Sequence, residues 1–319
     1  MINYKIFKEM VKERFLAYMP PEYATCSIGI QQVTKVNKTV DCINLIQKYN
    51  TGNAGYSASP NIYIDTMYEH YKECGDLHEV LRTAADAMVH GLEGMMQIVQ
   101  KFDFDTAKDN IIFQLVNTKQ NKEMLCGVPH RTFQDLSIIY RWIIEQDSRG
   151  IASTIVHNGL AEKLNVDEES LFAAAEVNTE KILPPVVKKV NEIMRELYVE
   201  QGLPEEVISM FVEEIPEDMC MYVISNDMNY YGAASMLYEN VLHKLAEKLQ
   251  SDLYIMPSSI HEVIAISTNA GTPNALAQTV TEINMNEVSL EERLSNQVYH
   301  YDKDLRTISQ ATDGTSDLA

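Results

Sequence analysis

Apolar residues recur at helical spacing across residues 4–18, where Ile6, Phe7, Met10, Val11 and Phe15 share a face and Pro20-Pro21 ends the pattern. This spacing predicts an amphipathic opening helix. The period then changes to two. Cys26, Ile28 and Ile30 alternate with polar positions, and a second apolar stretch covers 40–46. Two strands joined by a turn at 35–39 are expected. A small-residue loop at 51–60 leads to a short extended entry at 62–64 and a helix ending near Gly75. Asp76 is placed to cap a longer helix over 77–102, whose end Gly91 and Gly94 weaken.

Farther on, 111–117 reads as a buried strand. A longer strand is predicted over 133–144, with Leu136, Ile138, Tyr140 and Trp142 on one face. Asp147-Ser-Arg-Gly150 turns it into 151–156, an antiparallel hairpin. Helices are expected at 158–164, at 167–182 before Pro184-Pro185, and at 186–201, with another after Gly202-Leu-Pro204 as far as Glu213. The last third reads as a strand at 219–225, a helix at 233–249, strands at 252–256 and 260–267 around a Pro257-Ser258-Ser259 turn, a helix at 273–288, and short strands at 298–301 and 305–308. Interleaved helices and tightly turned strands predict an α+β fold: a mixed, largely antiparallel sheet with helices packed on it and a helix-rich middle segment. Residues 1–105 and 106–319, the latter holding the 219–267 unit, are the expected divisions; one continuous domain is the alternative.

Composition narrows the class of partner. The 319 residues carry 26 Lys and Arg against 46 Asp and Glu, a formal charge of −20, which argues against direct binding to nucleic acid or anionic lipid. Residues 1–48 hold seven bases and four acids, so the remainder carries −23. Nine of the acids lie in 192–218: Glu192, Glu196, Glu200, Glu205, Glu206, Glu213, Glu214, Glu217 and Asp218, with Arg195 the one base. Such a run is either a solvated helix face or a docking surface for a basic partner. Five dispersed cysteines without a C-x-x-C pair read as reduced thiols, mostly in the core. The opening MINYKIFKEMVKERF has no apolar h-region and no stretch is apolar enough to span a bilayer, so a cytoplasmic protein is expected.

No familiar catalytic motif stands out. Gly52 and Gly55 lack the Gly-Lys-Ser/Thr of a phosphate loop. His90 and Glu93 fall three apart on a helix without a designated third ligand, so no metal or cofactor is expected. His261 and Glu262, adjacent in the predicted strand, should point to opposite faces. The most reactive-looking cluster is Ser258, Ser259, His261 and Glu262 at the 257–262 turn, where a serine hydroxyl beside an imidazole would suit a hydrolase. The plainer reading has both serines bonding the turn backbone while His261 packs. His130 and Arg131 form a second cluster, suited to an anion or to a surface ion pair.

Tyr231-Gly-Ala-Ala-Ser-Met-Leu-Tyr238, Leu245-Ala-Glu-Lys-Leu249 and the segment from Asp252 to Ile264 resemble a bacterial family, domain of unknown function 5688. The opening F-K-E-M-V-K-E-R, Ser59-Pro-Asn-Ile-Tyr63, Val128-Pro-His-Arg131, Phe133-Gln-Asp-Leu136, Asn178-Thr179, Leu183-Pro-Pro185 and Val298-Tyr-His-Tyr-Asp302 extend the resemblance over nearly the whole chain. A looser likeness of layout links it to domain of unknown function 1444. The resemblance implies one α+β unit and no activity. Two functions follow from the residues themselves. One is a non-enzymatic adaptor or regulator whose protein partner, basic in character, meets the acidic belt or the region of Tyr231 and His261; an acidic mimic of nucleic-acid phosphates is a variant. The other is a hydrolase at the 257–262 turn, with His130 or Arg131 assisting.

Overall fold

The computed structural model describes residues 2–47, 60–99, 104–147, 150–212 and 215–312, and these group into two compact units, Met1–Asp103 and Phe104–Ala319. The first unit opens with α1 (Tyr4–Arg14), started by Asn3, whose side-chain oxygen accepts from the Ile6 N–H at 3.0 Å. Strands β1 (Cys26–Lys35) and β2 (Lys38–Gln47) pair antiparallel around Asn37, whose positive φ closes the turn. A two-residue β3 (Ile62–Tyr63) pairs with β2 and leads into α2 (Ile64–Cys74), which Gly75 ends in the left-handed conformation. Helix α3 (Leu77–Val99) follows, the Asp76 carboxylate accepting from the N–H groups of His78 and Glu79. Phe7, Val11, Phe15, Ile43, Leu45, Ile64, Leu81 and Met88 form one apolar core, as the helical and alternating periods require. Of the predicted 51–60 loop, residues 51–59, including Gly52 and Gly55, lie outside the described residues.

The second unit begins with α4 (Phe104–Ala107) and β4 (Ile111–Asn117), every residue of which is buried. After α5 (Lys122–Leu125) come β5 (His130–Phe133), β6 (Leu136–Asp147) and β7 (Gly150–Ile155), the strands that flank β6 in an antiparallel sheet with β4. Then follow α6 (Asn158–Leu164) and α7 (Glu168–Ile182), the latter capped by Asp167. Strand β8 (Pro185–Lys189) precedes α8 (Val190–Glu200) and α9 (Glu205–Phe211). Strand β9 (Tyr222–Asn226), helix α10 (Glu239–Leu249), strands β10 (Leu253–Met256) and β11 (Val263–Ser267), helix α11 (Pro273–Asn286) and the hairpin β12 (Tyr299–Asp302) and β13 (Thr307–Gln310) complete the chain. Their sheet has the order β13-β12-β10-β11-β9-β8. The fold is α+β, and among the described residues the one sheet expected from the sequence is three sheets, all antiparallel.

Four predicted elements differ from the structure, each for a local reason. The 133–144 strand is two strands, because Gln134 takes a left-handed φ and folds β5 back on β6. The helix predicted from 186 starts at Val190; Val186 and Val187, β-branched and preceded by a proline, pair with β9 instead. The 233–249 helix is a 3-10 segment, Gly232–Leu237, then an extended Tyr238 and α10. The tighter segment packs closely against β9 and the chain at His261: a Cβ on Gly232 would lie 2.2 Å from Ser225 Oγ and 2.4 Å from the His261 carbonyl oxygen. The 260–267 strand begins only at Val263, so His261 and Glu262 belong to a connection and strand alternation does not set their directions.

Candidate functional site

Between β9 and α10 the chain turns back over the β4-β6-β7 sheet, and Asn226 organises that turn. Its side-chain oxygen accepts from the N–H groups of Met228 (3.1 Å) and Tyr230 (3.0 Å), and its amide donates to the Tyr230 carbonyl at 2.9 Å. Ser225 Oγ donates to the His261 carbonyl at 2.7 Å, and the Ala233 N–H to the Ile260 carbonyl at 3.3 Å. The two connections are thereby tied. Tyr231 is left in the left-handed region at φ 50°, rare for an aromatic residue. Its ring lies parallel to the His261 imidazole, centroids 6.0 Å apart at 9°.

The hydrogen bonds at the 257–262 turn do not form a nucleophile and base. Ser259 Oγ accepts from the backbone N–H of His261 at 3.0 Å, closing a local turn, and Ser258 is buried. The His261 Nδ1 sits 3.0 Å from the Asn229 carbonyl, so it carries the proton, and Nε2 faces Glu292 at 3.7 Å. Among the described residues no hydrogen bond joins either serine hydroxyl to the imidazole, which a general base would need. Glu262 is half-buried beside them. His130 and Arg131 sit apart from this turn, on β5. His130 is exposed, its Nδ1 3.0 Å from the Val128 carbonyl. Arg131 grips Glu168 through Nε (3.1 Å) and Nη2 (2.9 Å), reaches Glu169 at 2.7 Å, and lies 3.8 Å over the Phe172 ring. Glu168 and Glu169 hold its proton more tightly than usual. Tyr140 also donates to Glu168, and burial with that carboxylate pushes the phenol pKa far up.

Two residues that the sequence reading passed over lie under the Tyr231 turn. Arg141, in the middle of β6, donates from Nε to Ser153 Oγ (2.6 Å), from Nη2 to the Ser153 carbonyl (3.2 Å) and from Nη1 to Gln114 Oε1 (3.0 Å). Its Cζ is 4.9 Å from the Tyr231 ring centroid, and Tyr230 OH meets Ser153 Oγ at 2.7 Å. The available signal was compositional: Gln114 and Arg141 are polar intrusions into otherwise apolar strands, IIFQLVN and LSIIYRWII.

The acidic belt presents a different surface. On α8, Glu192, Glu196 and Glu200 form one line, while Val190, Ile193, Met194, Leu197 and Tyr198 occupy the opposite side; no residue of this helix is buried. Leu197 is 50% exposed, and on α9 Met210 and Phe211 are 78% and 60% exposed. The Phe211 ring lies 6.0 Å from Tyr198, which makes the patch continuous. Part of the charge is compensated: Lys188 pairs with Glu196 at 2.7 Å, Arg195 with Glu205, and Glu217 with both Lys189 (2.6 Å) and Lys248 (2.7 Å). Those lysines and the Tyr222 hydroxyl hold the Glu217 pKa down at about 2. Glu200, Glu206 and Asp218 have no ion pair among the described residues, and Glu213 and Glu214 lie outside them. A recess of about 410 Å³ opens at the start of α8, between β8 and α10, lined among others by Val187, Lys189, Glu192, Tyr222 and Lys244.

Among the described residues no group of three or more His, Cys, Asp and Glu side chains could hold a metal ion, and no helix is long and apolar enough to cross a membrane. Cys26, Cys42 and Cys220 are buried, Cys74 and Cys126 exposed, and all five are free. No curated protein and no solved structure matches the chain. The sequence model of one family, described as a family of unknown function (DUF5688), matches residues 4–303. With nearly the whole chain matched, the protein belongs to the DUF5688 family.

Proposed function

We propose that this is a non-enzymatic binding protein of the bacterial cytoplasm, an adaptor or regulator that takes a basic, amphipathic segment of a partner protein onto α8 and α9. One observation carries the reading: α8 has a complete apolar stripe, yet none of its residues is buried. Val190, Ile193 and Tyr198 are partly covered while Met194 and Leu197 stay exposed, and contiguous apolar surface left open on a patterned helix marks an interaction site. The uncompensated Glu200 on α8 and Glu206 on α9 select the sign of that partner. A second copy of the chain would bring acid against acid in a molecule of charge −20.

The test uses the full chain and two fluorescent peptides of identical composition, one a lysine- and leucine-patterned amphipathic helix, the other its scrambled isomer. The patterned peptide binds, weakens as salt rises, and loses roughly tenfold or more in affinity to a Glu200→Lys/Glu206→Lys variant. Equal binding of both peptides, or of neither, overturns the proposal, as does a dimer in sedimentation that Phe211→Ser dissolves. The hydrolase alternative requires a serine hydroxyl on an imidazole nitrogen, and the bonds of Ser259 and His261 run elsewhere. A fluorophosphonate probe that labels wild type, and fails only when Ser258 or Ser259 is replaced by alanine, would reinstate it.

A further inference from the structure

Arg141 is a half-buried cation held entirely by neutral partners. In a chain with 46 carboxylate side chains, none is placed against it among the described residues. Arg131, on the adjacent strand, shows the usual arrangement, with Glu168 and Glu169 answering its charge. Buried charges ordinarily carry such a partner. Arg141 has instead a mount. Ser153 takes Nε–H and one Nη2–H, and Gln114 takes one Nη1–H. Of the five guanidinium donors two remain, one on each terminal nitrogen. The Tyr231 ring lies against the group, its centroid 4.9 Å from Cζ, and a guanidinium with free N–H groups on both terminal nitrogens is suited to grip an oxyanion with two bonds.

The surroundings maintain this geometry at a cost. Gln114 is fully buried, and its Nε2 has no hydrogen-bond partner; the amide is oriented so that its oxygen faces Arg141. An unpaired buried amide in a native core calls for a reason, and fixing Arg141 supplies one. Tyr231 meets the guanidinium from a left-handed backbone, with His261 stacked parallel to its ring. Strain of this kind collects where a group must be held for a ligand. Partial desolvation, with the Arg141 charge close by, lowers the His157 imidazole pKa.

We infer that Arg141 binds the oxyanion of a small molecule, a carboxylate or phosphate group, with Gln114 and Tyr231 as positioning residues. This site does not depend on the docking face of α8 and α9, and either can fail without the other.

Calorimetric titration of the full chain with inorganic phosphate and, separately, with malonate tests it, and the two arms distinguish the sources. One anion should bind with one-to-one stoichiometry and raise Tm. Arg141→Gln should lose binding at least about tenfold, and Arg141→Lys, which keeps the charge without the fork, should lose most of it. Gln114→Met removes the unpaired amide, so Tm should hold or rise while affinity falls several-fold; a merely structural glutamine would leave affinity unchanged. Should the Arg141 variants not fold, NMR of wild type decides: the bound anion offsets the Arg141 charge and raises the His157 pKa. Saturation by neither anion, binding unchanged in Arg141→Gln, or a His157 pKa indifferent to the bound anion would overturn the inference.

Discussion

The turn around Tyr231 and His261 and the helix pair α8–α9 belong to one compact unit and treat their side chains in opposite ways. At the turn, side chains that look reactive are spent on the fold: Ser259 and Asn226 bond backbone, Ser225 ties one connection to the other, and His261 faces a carbonyl and an aromatic ring. On α8 and α9, Met194, Leu197, Met210 and Phe211, side chains that look like ordinary core, remain in solvent, while Ile208 is buried. What a surface offers a partner is therefore set by which groups the fold leaves unused, not by their chemical reactivity.

The sharpest way to break this contrast is to truncate one leucine in each kind of setting. Leu245 is buried on α10, and Leu245→Ala should cost about 2–5 kcal/mol in urea unfolding. Leu197→Ala on the bare face should change stability by no more than about 0.5 kcal/mol and should instead weaken capture of the patterned peptide. Equal losses of stability would mean that the two surfaces are equally part of the core. Gly232→Ala comes next. The added methyl would meet the His261 carbonyl, part of the backbone, so the two connections must separate, at a cost of about 1–3 kcal/mol in the same assay. His261→Ala removes the bond to Asn229 and the stack on Tyr231, and Tm should fall by the equivalent of about 1 kcal/mol. A Tm that holds while anion binding is lost would move His261 from the fold to the site.

The smallest effect is electrostatic. Glu217 titrates at about 2 in the folded protein against 4.5 ordinarily, because Lys189, Lys248 and Tyr222 bond its charged form. Its stabilising contribution is complete above the ordinary carboxylate range and is lost as pH falls through that range toward 2. Glu217→Gln should therefore flatten the acid limb of the Tm profile below pH 5 and leave it unchanged near neutrality, apart from a constant offset. The group is exposed, so the change should be slight, and a profile identical to wild type would show that solvent screens the cluster completely.

Much of the fold was legible because one residue period decides it. The hairpin of β1 and β2, the capped start of α3 at Asp76, the buried β4 and the β12–β13 hairpin follow from alternation, apolar runs and turn residues. Errors came where two signals competed. Val186 and Val187 continue a helical period into α8, yet β-branching and pairing with β9 make them a strand. The 233–249 segment is periodic throughout, yet its first turns are 3-10 and pack closely on β9 at Gly232. Of the site candidates, Tyr231 and His261 do meet, and Ser259 bonds the His261 backbone; His130 and Arg131 lie elsewhere on β5. Arg141 and Gln114, distant in sequence, were visible only as polar residues inside apolar strands.

The α+β class, most of the elements, the excess of acid and the family are written in the order of residues, because they depend on composition, succession and short-range period. Packing in three dimensions settles which apolar stripe stays partly open, which carboxylates are answered by lysine, and that Arg131 faces carboxylates while Arg141, among the described residues, does not. Those outcomes depend on residues far apart in the chain meeting in space: Glu168 reaches Arg131 from a helix, whereas among the described residues Arg141 is held by an amide, a serine and a ring. Local patterning carries no record of such encounters, and a charge gains its meaning from the neighbour that does or does not arrive.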